Sequence, residues 1–130
     1  MLPAEAKALV ITQILPPVVA ANTAGATTGW VAVPVTEGCL VFIQEVGALG
    51  GASTLAGALE TATSNAGAGA VALLPDDGTA GFTAVAAADK VEAKSFNARK
   101  NLGYVRYTGT IAVSTVAVSV CVIGRPKTTT

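Results

Sequence analysis

The last third of the chain has a period of two. Val116, Val118, Val120 and Val122 alternate with Thr115, Ala117, Ser119, Cys121 and Ile123. Side chains of a strand point to opposite faces in turn, whereas a helix repeats every 3.6 residues, so this spacing predicts a strand with one buried valine wall. The segment before it behaves alike: Val105, Tyr107 and Ile111 fall on one face, and Tyr104, Arg106, Thr108 and Thr110 on the other. The short connection between the two predicts an antiparallel hairpin. Gly124 is expected to release the final strand, and Pro126 to forbid pairing at its own nitrogen. The alternation also removes residues 107–124, which carry no charge, as a membrane-spanning helix, since such a helix needs about 20 predominantly apolar residues. The uncharged residues 8–36 are interrupted by Pro16-Pro17, Asn22 and several Thr and Gly. The N-terminus lacks the basic start of a signal peptide.

Further strands are expected at residues 30–35, 39–46, 54–63, 71–74, 82–85 and 91–96, with turns at residues 47–53, 64–69 and Pro75-Asp76-Asp77-Gly78. Pro34 places its segment at a sheet edge or a strand end. Residues 39–46 are apolar on both faces until Gln44 and Glu45, which predicts a central strand. Residues 97–102 suit a helical turn. The alanine-rich, charged residues 86–102 are the only competitor for a longer helix. Many short strands separated by Gly and Pro turns point to an all-β, antiparallel β-sandwich or barrel. Residues 1–28 read as an extended N-terminal arm, with a short helix at residues 3–7, ahead of a β-domain at residues 29–130. An N-terminal edge strand is an equal reading of the same residues.

A chain of 130 residues is one domain. Only 12% of it is charged, where roughly 25% is usual. Eight acids and eight bases cannot dress the surface of such a domain, which implies that other chains cover part of it. The charge is unevenly placed. Residues 1–88 hold Glu5, Glu37, Glu45, Glu60, Asp76 and Asp77 against Lys7 alone; residues 89–130 hold Lys90, Lys94, Arg99, Lys100, Arg106, Arg125 and Lys127 against Asp89 and Glu92. Two readings follow: opposite faces of one solvated domain, or complementary docking between neighbouring subunits. A pI of about 6.1 and the lack of a dense basic run argue against nucleic acid as a partner.

Catalytic chemistry has little to work with. Without histidine there is no usual general base, and no Ser-His-Asp or Cys-His arrangement. Cys39 and Cys121 are too few for a zinc site, and read as two thiols or as one bridge between neighbouring strands. Residues 47–53 lack the Gly-Lys-Ser/Thr of a phosphate loop, and Asp76-Asp77 falls far short of a six-oxygen calcium site. The expectation is a non-enzyme without cofactor or metal. Surface recognition remains. The arm residues Leu9, Ile11, Ile14 and Val18 and the polar residues Tyr104, Arg106 and Arg125 are the candidate contacts, since Tyr and Arg are favoured at interfaces. For Tyr104 and Arg106 the competing reading is structural: a ring packed on the sheet, and a cation paired with Glu or Asp.

The strand Tyr104-Val105-Arg106, a Thr/Gly turn, the alternating valines and the ending Ile123-Gly124-Arg125-Pro126-Lys127 form one pattern. With Glu37-Gly38-Cys39-Leu40, Thr54-Leu55 and Gly81-Phe82-Thr83 upstream, it resembles the capsid cement, or decoration, proteins of tailed bacteriophages across residues 36–127. The resemblance implies a jelly-roll-like sandwich on the outside of a phage head, stabilising contacts between major capsid protein subunits. The implied partners are that capsid protein and the chain itself, as a homotrimer first and a dimer second. The implied location is the virion surface, after assembly in the host cytoplasm. Two alternatives stand beside it: a head–tail adaptor or tail component, and a discoidin-like jelly roll that binds carbohydrate. Discoidin-like modules share the Tyr-Val-Arg strand, but Trp30 is the only tryptophan here to build a sugar platform.

Overall fold

The alternating segments form strands, and the strands form two layers. The computed structural model describes residues 9–126; the expected helix at residues 3–7 and Lys127 lie outside them. The strands are β1 (Val10–Ala21), β2 (Ala26–Thr27), β3 (Val31–Ala32), β4 (Gly38–Leu49), β5 (Thr54–Ala62), β6 (Val71–Leu73), β7 (Lys90–Asn97), β8 (Tyr104–Ala112) and β9 (Thr115–Pro126), with a 3₁₀ turn at Ala98–Lys100. The first sheet has the order β1-β9-β4-β7 and the second β2-β8-β5-β6, with β3 also on β8. Every ladder is antiparallel. The path is that of one long hairpin, pairing β1 with β9, β2 and β3 with β8, β4 with β7, and β5 with β6. It is wrapped until β9 also meets β4 and β8 meets β5. This is the winding of a jelly roll, an all-β sandwich.

The expected β8–β9 hairpin is not formed. β8 lies in the second sheet and β9 in the first. The reason is in the two apolar walls. Val105, Tyr107 and Ile111 on β8 and the four valines of β9 are all buried in one core. Folding the chain over at Val113 and Ser114 sets these walls against each other, whereas a hairpin would place both in one layer. The corner carries a cost: Val113, a β-branched residue, sits at φ 83°. It is held by the Ser114 amide donating to Ser53 Oγ (3.0 Å) and the Asn22 amide donating to the Ser114 carbonyl (2.7 Å). Each fully buried valine contributes about 1.5–3 kcal/mol of transfer free energy, which outweighs one strained residue.

One open choice is decided and two other expectations change. Residues 10–21 take the edge-strand reading as β1, paired with β9. Their apolar residues alternate well enough to add a strand, and Ile14, Leu15 and Ala20 enter the core. Residues 82–85 form no strand beyond a single bridge between Val85 and Leu55. Gly124 does not release β9, which runs on to Pro126 with Gly124 opposite Leu40. A Cβ on Gly124 would come within 2.7 Å of Val35 Cγ2, so glycine here admits the chain between β3 and β4.

The edges of the first sheet are blunted. Pairing of β1 shifts register between Gln13 and Leu15 and again between Leu15 and Val18. These bulges bury both Ile14 and Leu15, and Pro16-Pro17 withholds two amide donors. On the other edge, β7 turns Lys94 and Glu92 toward residues 75–85. Lys94 Nζ meets Asp77 at 3.0 Å and donates to Thr79 Oγ1 (2.7 Å) and the Gly81 carbonyl (2.8 Å), while Glu92 accepts from Thr83. Hydrogen bonds from the Thr79 hydroxyl and amide, with Lys94, hold the Asp77 carboxyl at about 2. Asp76 accepts from the Asn97 amide (3.0 Å) and faces Lys100 (3.6 Å). The two aspartates therefore tie a loop to an edge strand.

Two polar contacts fix the layers. The Tyr107 hydroxyl donates to Gln44 Oε1 at 2.6 Å across the core, with both residues buried. Gly57 and Gly109, directly opposite one another on β5 and β8, leave the hollow for the ring. A Cβ on Gly57 would overlap Gln44 Oε1 and Tyr107 Oη, and one on Gly109 would lie 2.9 Å from Tyr107 Cε1. Near the opposite end, buried Asn101 donates to the carbonyls of Val33 and Val35 (2.8 Å each) and accepts from the Gly103 amide (2.9 Å). It ties the connection after β3 to the connection before β8.

Tyr107→Phe should cost about 1–3 kcal/mol in chemical denaturation, because Gln44 Oε1 loses its donor in a dry site. Burial pushes the Tyr107 hydroxyl well above its ordinary value of 10.0. The folded state thus keeps a proton that the unfolded state releases. Stability should be intact below pH 10 and fall above it by about 1.4 kcal/mol per pH unit, a slope that the Phe variant should reduce. Gly57→Ala should cost about 1–3 kcal/mol by overpacking, read as a lower melting temperature.

Candidate functional site

The candidate contact residues separate onto two faces. Tyr104 and Arg106 project from the outside of the second sheet. Arg106 Nη2 donates to Glu60 Oε1 at 2.6 Å, across a directly paired position of β5 and β8. Its guanidinium carbon lies 4.7 Å from the centre of the Trp30 ring, within cation–π range. The indole lies against the 64–68 turn: a Cβ on Gly67 would be 2.6 Å from Trp30 Nε1. The cation, its acid and the only tryptophan thus form one packed group, and Arg106 here has the structural role.

The first sheet is different. Its outer face is built from the odd-numbered residues of β4, β7 and β9 and from part of β1. Ile11, Ile123, Val41 and Ser95 form one row across the strands; Gln13, Cys121, Ile43 and Ala93 form the next; Ser119, Glu45 and Val91 form a third. Ile11 and Val19 are each 70% exposed and Val91 64%. Arg125 is exposed at one end of this face, opposite Cys39. A groove of about 570 Å³ lies at the other end, lined by Pro17, Val19, Glu45, Asp89, Val91 and Ala117 among others. Asp89 stands there at φ 58°, its amide donating to the Gly47 carbonyl (3.1 Å).

Of the sequence candidates, Ile11 and Arg125 share this face, and Val18 lines the groove. Leu9 is exposed just ahead of β1. Ile14 is 2% exposed, so it is a core residue and no contact; the bulge in β1 turns it inward. Sequence reasoning did not single out Val41, Ile43, Ile123, Glu45, Asp89 or Val91. The signal was available in β4. A strand apolar on both faces suits a sheet covered on both sides. In a two-layer sandwich only the face with Leu40, Phe42 and Val46 is covered, and Val41 and Ile43 are left on the other.

The uneven charge is partly resolved within the chain, where Lys94, Lys100 and Arg106 pair with Asp77, Asp76 and Glu60. Among the described residues Glu37, Glu45, Asp89, Lys90, Arg99 and Arg125 make no ion pair. Both cysteines are free. They sit on adjacent strands, but Cys39 faces Arg125 and Cys121 faces Ile43, a stagger of four residues or about 13 Å. Among the described residues no cluster of three or more metal-ligating side chains forms, and no helix is long and apolar enough to cross a membrane. The chain matches no protein-family model, no curated protein and no solved structure.

Because Trp30 is the only tryptophan, its fluorescence reports the second-sheet cluster. Arg106→Met should shift that emission to longer wavelength and cost about 1 kcal/mol, since it removes both the cation–π contact and a half-exposed ion pair. An unchanged spectrum would show that the ring does not depend on the guanidinium.

Proposed function

We propose that this chain is a structural virion protein of the cement, or decoration, type: it binds the outside of a tailed-phage head and stabilises contacts between major capsid protein subunits. The observation that carries the reading is the uncovered apolar face of the first sheet, on a chain with only 12% charged residues. An isolated domain has no use for such a face, and large apolar patches mark association. The jelly-roll winding agrees with the resemblance of residues 36–127 to the cement proteins. The work asked of such a protein is mechanical. Each copy holds its neighbours through an ordinary interface, and the symmetry of the shell multiplies it. A sandwich closed by the Tyr107–Gln44 bond and by Asn101 is a rigid unit for that task. The carbohydrate reading finds less support, because Arg106 already occupies a face of Trp30.

Purified full-length protein mixed with phage heads before and after expansion tests the proposal. Co-sedimentation with expanded heads is expected, saturating at a copy number that matches the capsid subunits and raising the heat tolerance of the heads. Saturation at the single vertex where a tail attaches would support the adaptor reading. No binding to either head form would sink both.

A further inference from the structure

The outer face of the first sheet is polar along its strands. At one end stands Arg125 on β9; at the other stand Glu45 on β4 and Asp89 just before β7. None of the three makes an ion pair among the described residues. Two further charges lie nearby. Lys90, opposite Val46, alternates to the other face of β7 and lines a separate groove with Thr83 and Ala87. Glu37 precedes β4, where Gly38 breaks the strand geometry at φ 107°. From Cys39, which faces Arg125, to Glu45 is six residues along β4, or about 20 Å. Between the charged ends half-buried Val41, Ile43, Cys121 and Ile123 form an apolar strip, flanked by exposed Ile11 and Gln13 on β1 and by Ala93 and Ser95 on β7.

A face with an apolar middle and opposite charges at its ends is complementary to itself. We propose that two copies of this chain pack through their first sheets, related by a two-fold axis that lies in the interface and crosses the strands at the level of Phe42 and Val122. Those two residues face each other midway between the charged ends. The rotation lays each β9 along its counterpart in the opposite direction. Arg125 of each copy then sits over Ser119 of the other, beside Glu45 and Asp89. The row of Ile11, Ile123 and Val41 covers the partner's row of Cys121 and Ile43. An axis along the strands would instead set Arg125 over Arg125, so charge selects the first arrangement. Aligned packing of this kind is ordinary for sheets.

The facing area is small. With the axis at Phe42 and Val122, β4 and β9 overlap their counterparts over residues 38–46 and 118–126, so the shared face is roughly 30 Å by 19 Å, about 570 Å² per partner, at the low end for a specific interface. The pairing selects a dimer over the trimer expected from the resemblance. It occupies the face that supports the cement reading, so a dimer would meet a capsid through its other surfaces, and its test contains no phage heads.

Sedimentation equilibrium of the full chain should give the dimer mass. Arg125→Glu should weaken association at least tenfold, with the circular dichroism and melting of the fold retained, because Arg125 is exposed and without an ion pair among the described residues. Glu45→Arg should do the same, and the two changes together should restore most of the loss. The axis also places the two Cys121 side chains roughly 8–10 Å apart and the two Cys39 side chains about 20 Å apart. A bis-maleimide spanning about 8 Å should therefore link the Cys39→Ser protein into dimers and leave the Cys121→Ser protein unlinked. A trimer mass, a monomer, indifference to Arg125→Glu, failure of the double exchange, or linkage through Cys39 would each overturn the proposal.

Discussion

The hydrogen bond from Tyr107 to Gln44 is the constraint around which the two layers are set. It joins β8 of one sheet to β4 of the other inside an apolar core, where an unmade bond would leave a polar atom dry. It also fixes composition nearby. The ring needs the hollow left by Gly57 and Gly109, and those glycines must lie opposite each other for the hollow to exist. The register of β5 on β8 is therefore tied to the spacing between the sheets. Phe42 and Phe96, edge to face at 4.9 Å, fill the neighbouring volume of the first sheet. A slip of one residue in either strand would turn Tyr107 or Gln44 out to solvent.

The remaining design problems of a sandwich are its edges and its outer faces, and this chain treats them unequally. Bulges and Pro16-Pro17 spoil β1 as a pairing template, and Lys94 and Glu92 anchor a loop beside β7. The second sheet closes part of its outer face with Trp30 over Arg106. The first sheet leaves Ile11, Val41, Ile43 and Ile123 uncovered within the chain. A sequence that blunts its edges while keeping a broad apolar face permits face-on association and discourages edge-on growth.

Much of the fold was legible because strand burial has a period that sequence displays directly. The valines of β9, the alternation of β8 and the central position of β4 all follow from it. The Arg106–Glu60 pair was foreseen as a type, though the partner was not. The candidate site was legible only in part. Ile11 and Arg125 were named, but Ile14 was assigned outward, because a bulge shifts parity and leaves no mark in composition. The apolar outward residues of β4 were visible, yet were taken as burial on both sides; how many layers a fold has is not written in any one strand.

By itself the sequence determined where the long strands β4, β5, β8 and β9 fall and that too few charges exist to dress the surface. These are local properties, set by side-chain alternation and by composition. It left residues 10–21 open between arm and edge strand and residues 86–102 open to a helix, and it made a strand of residues 82–85 that does not form. Tertiary structure alone decided that β8 and β9 part at Val113 and enter different sheets, that Gly124 sits inside a strand, and that Glu45, Asp89 and Arg125 come to share one face. Those outcomes depend on which apolar wall finds which partner. That choice is made by burying two faces against each other across the whole chain, and no short segment carries it.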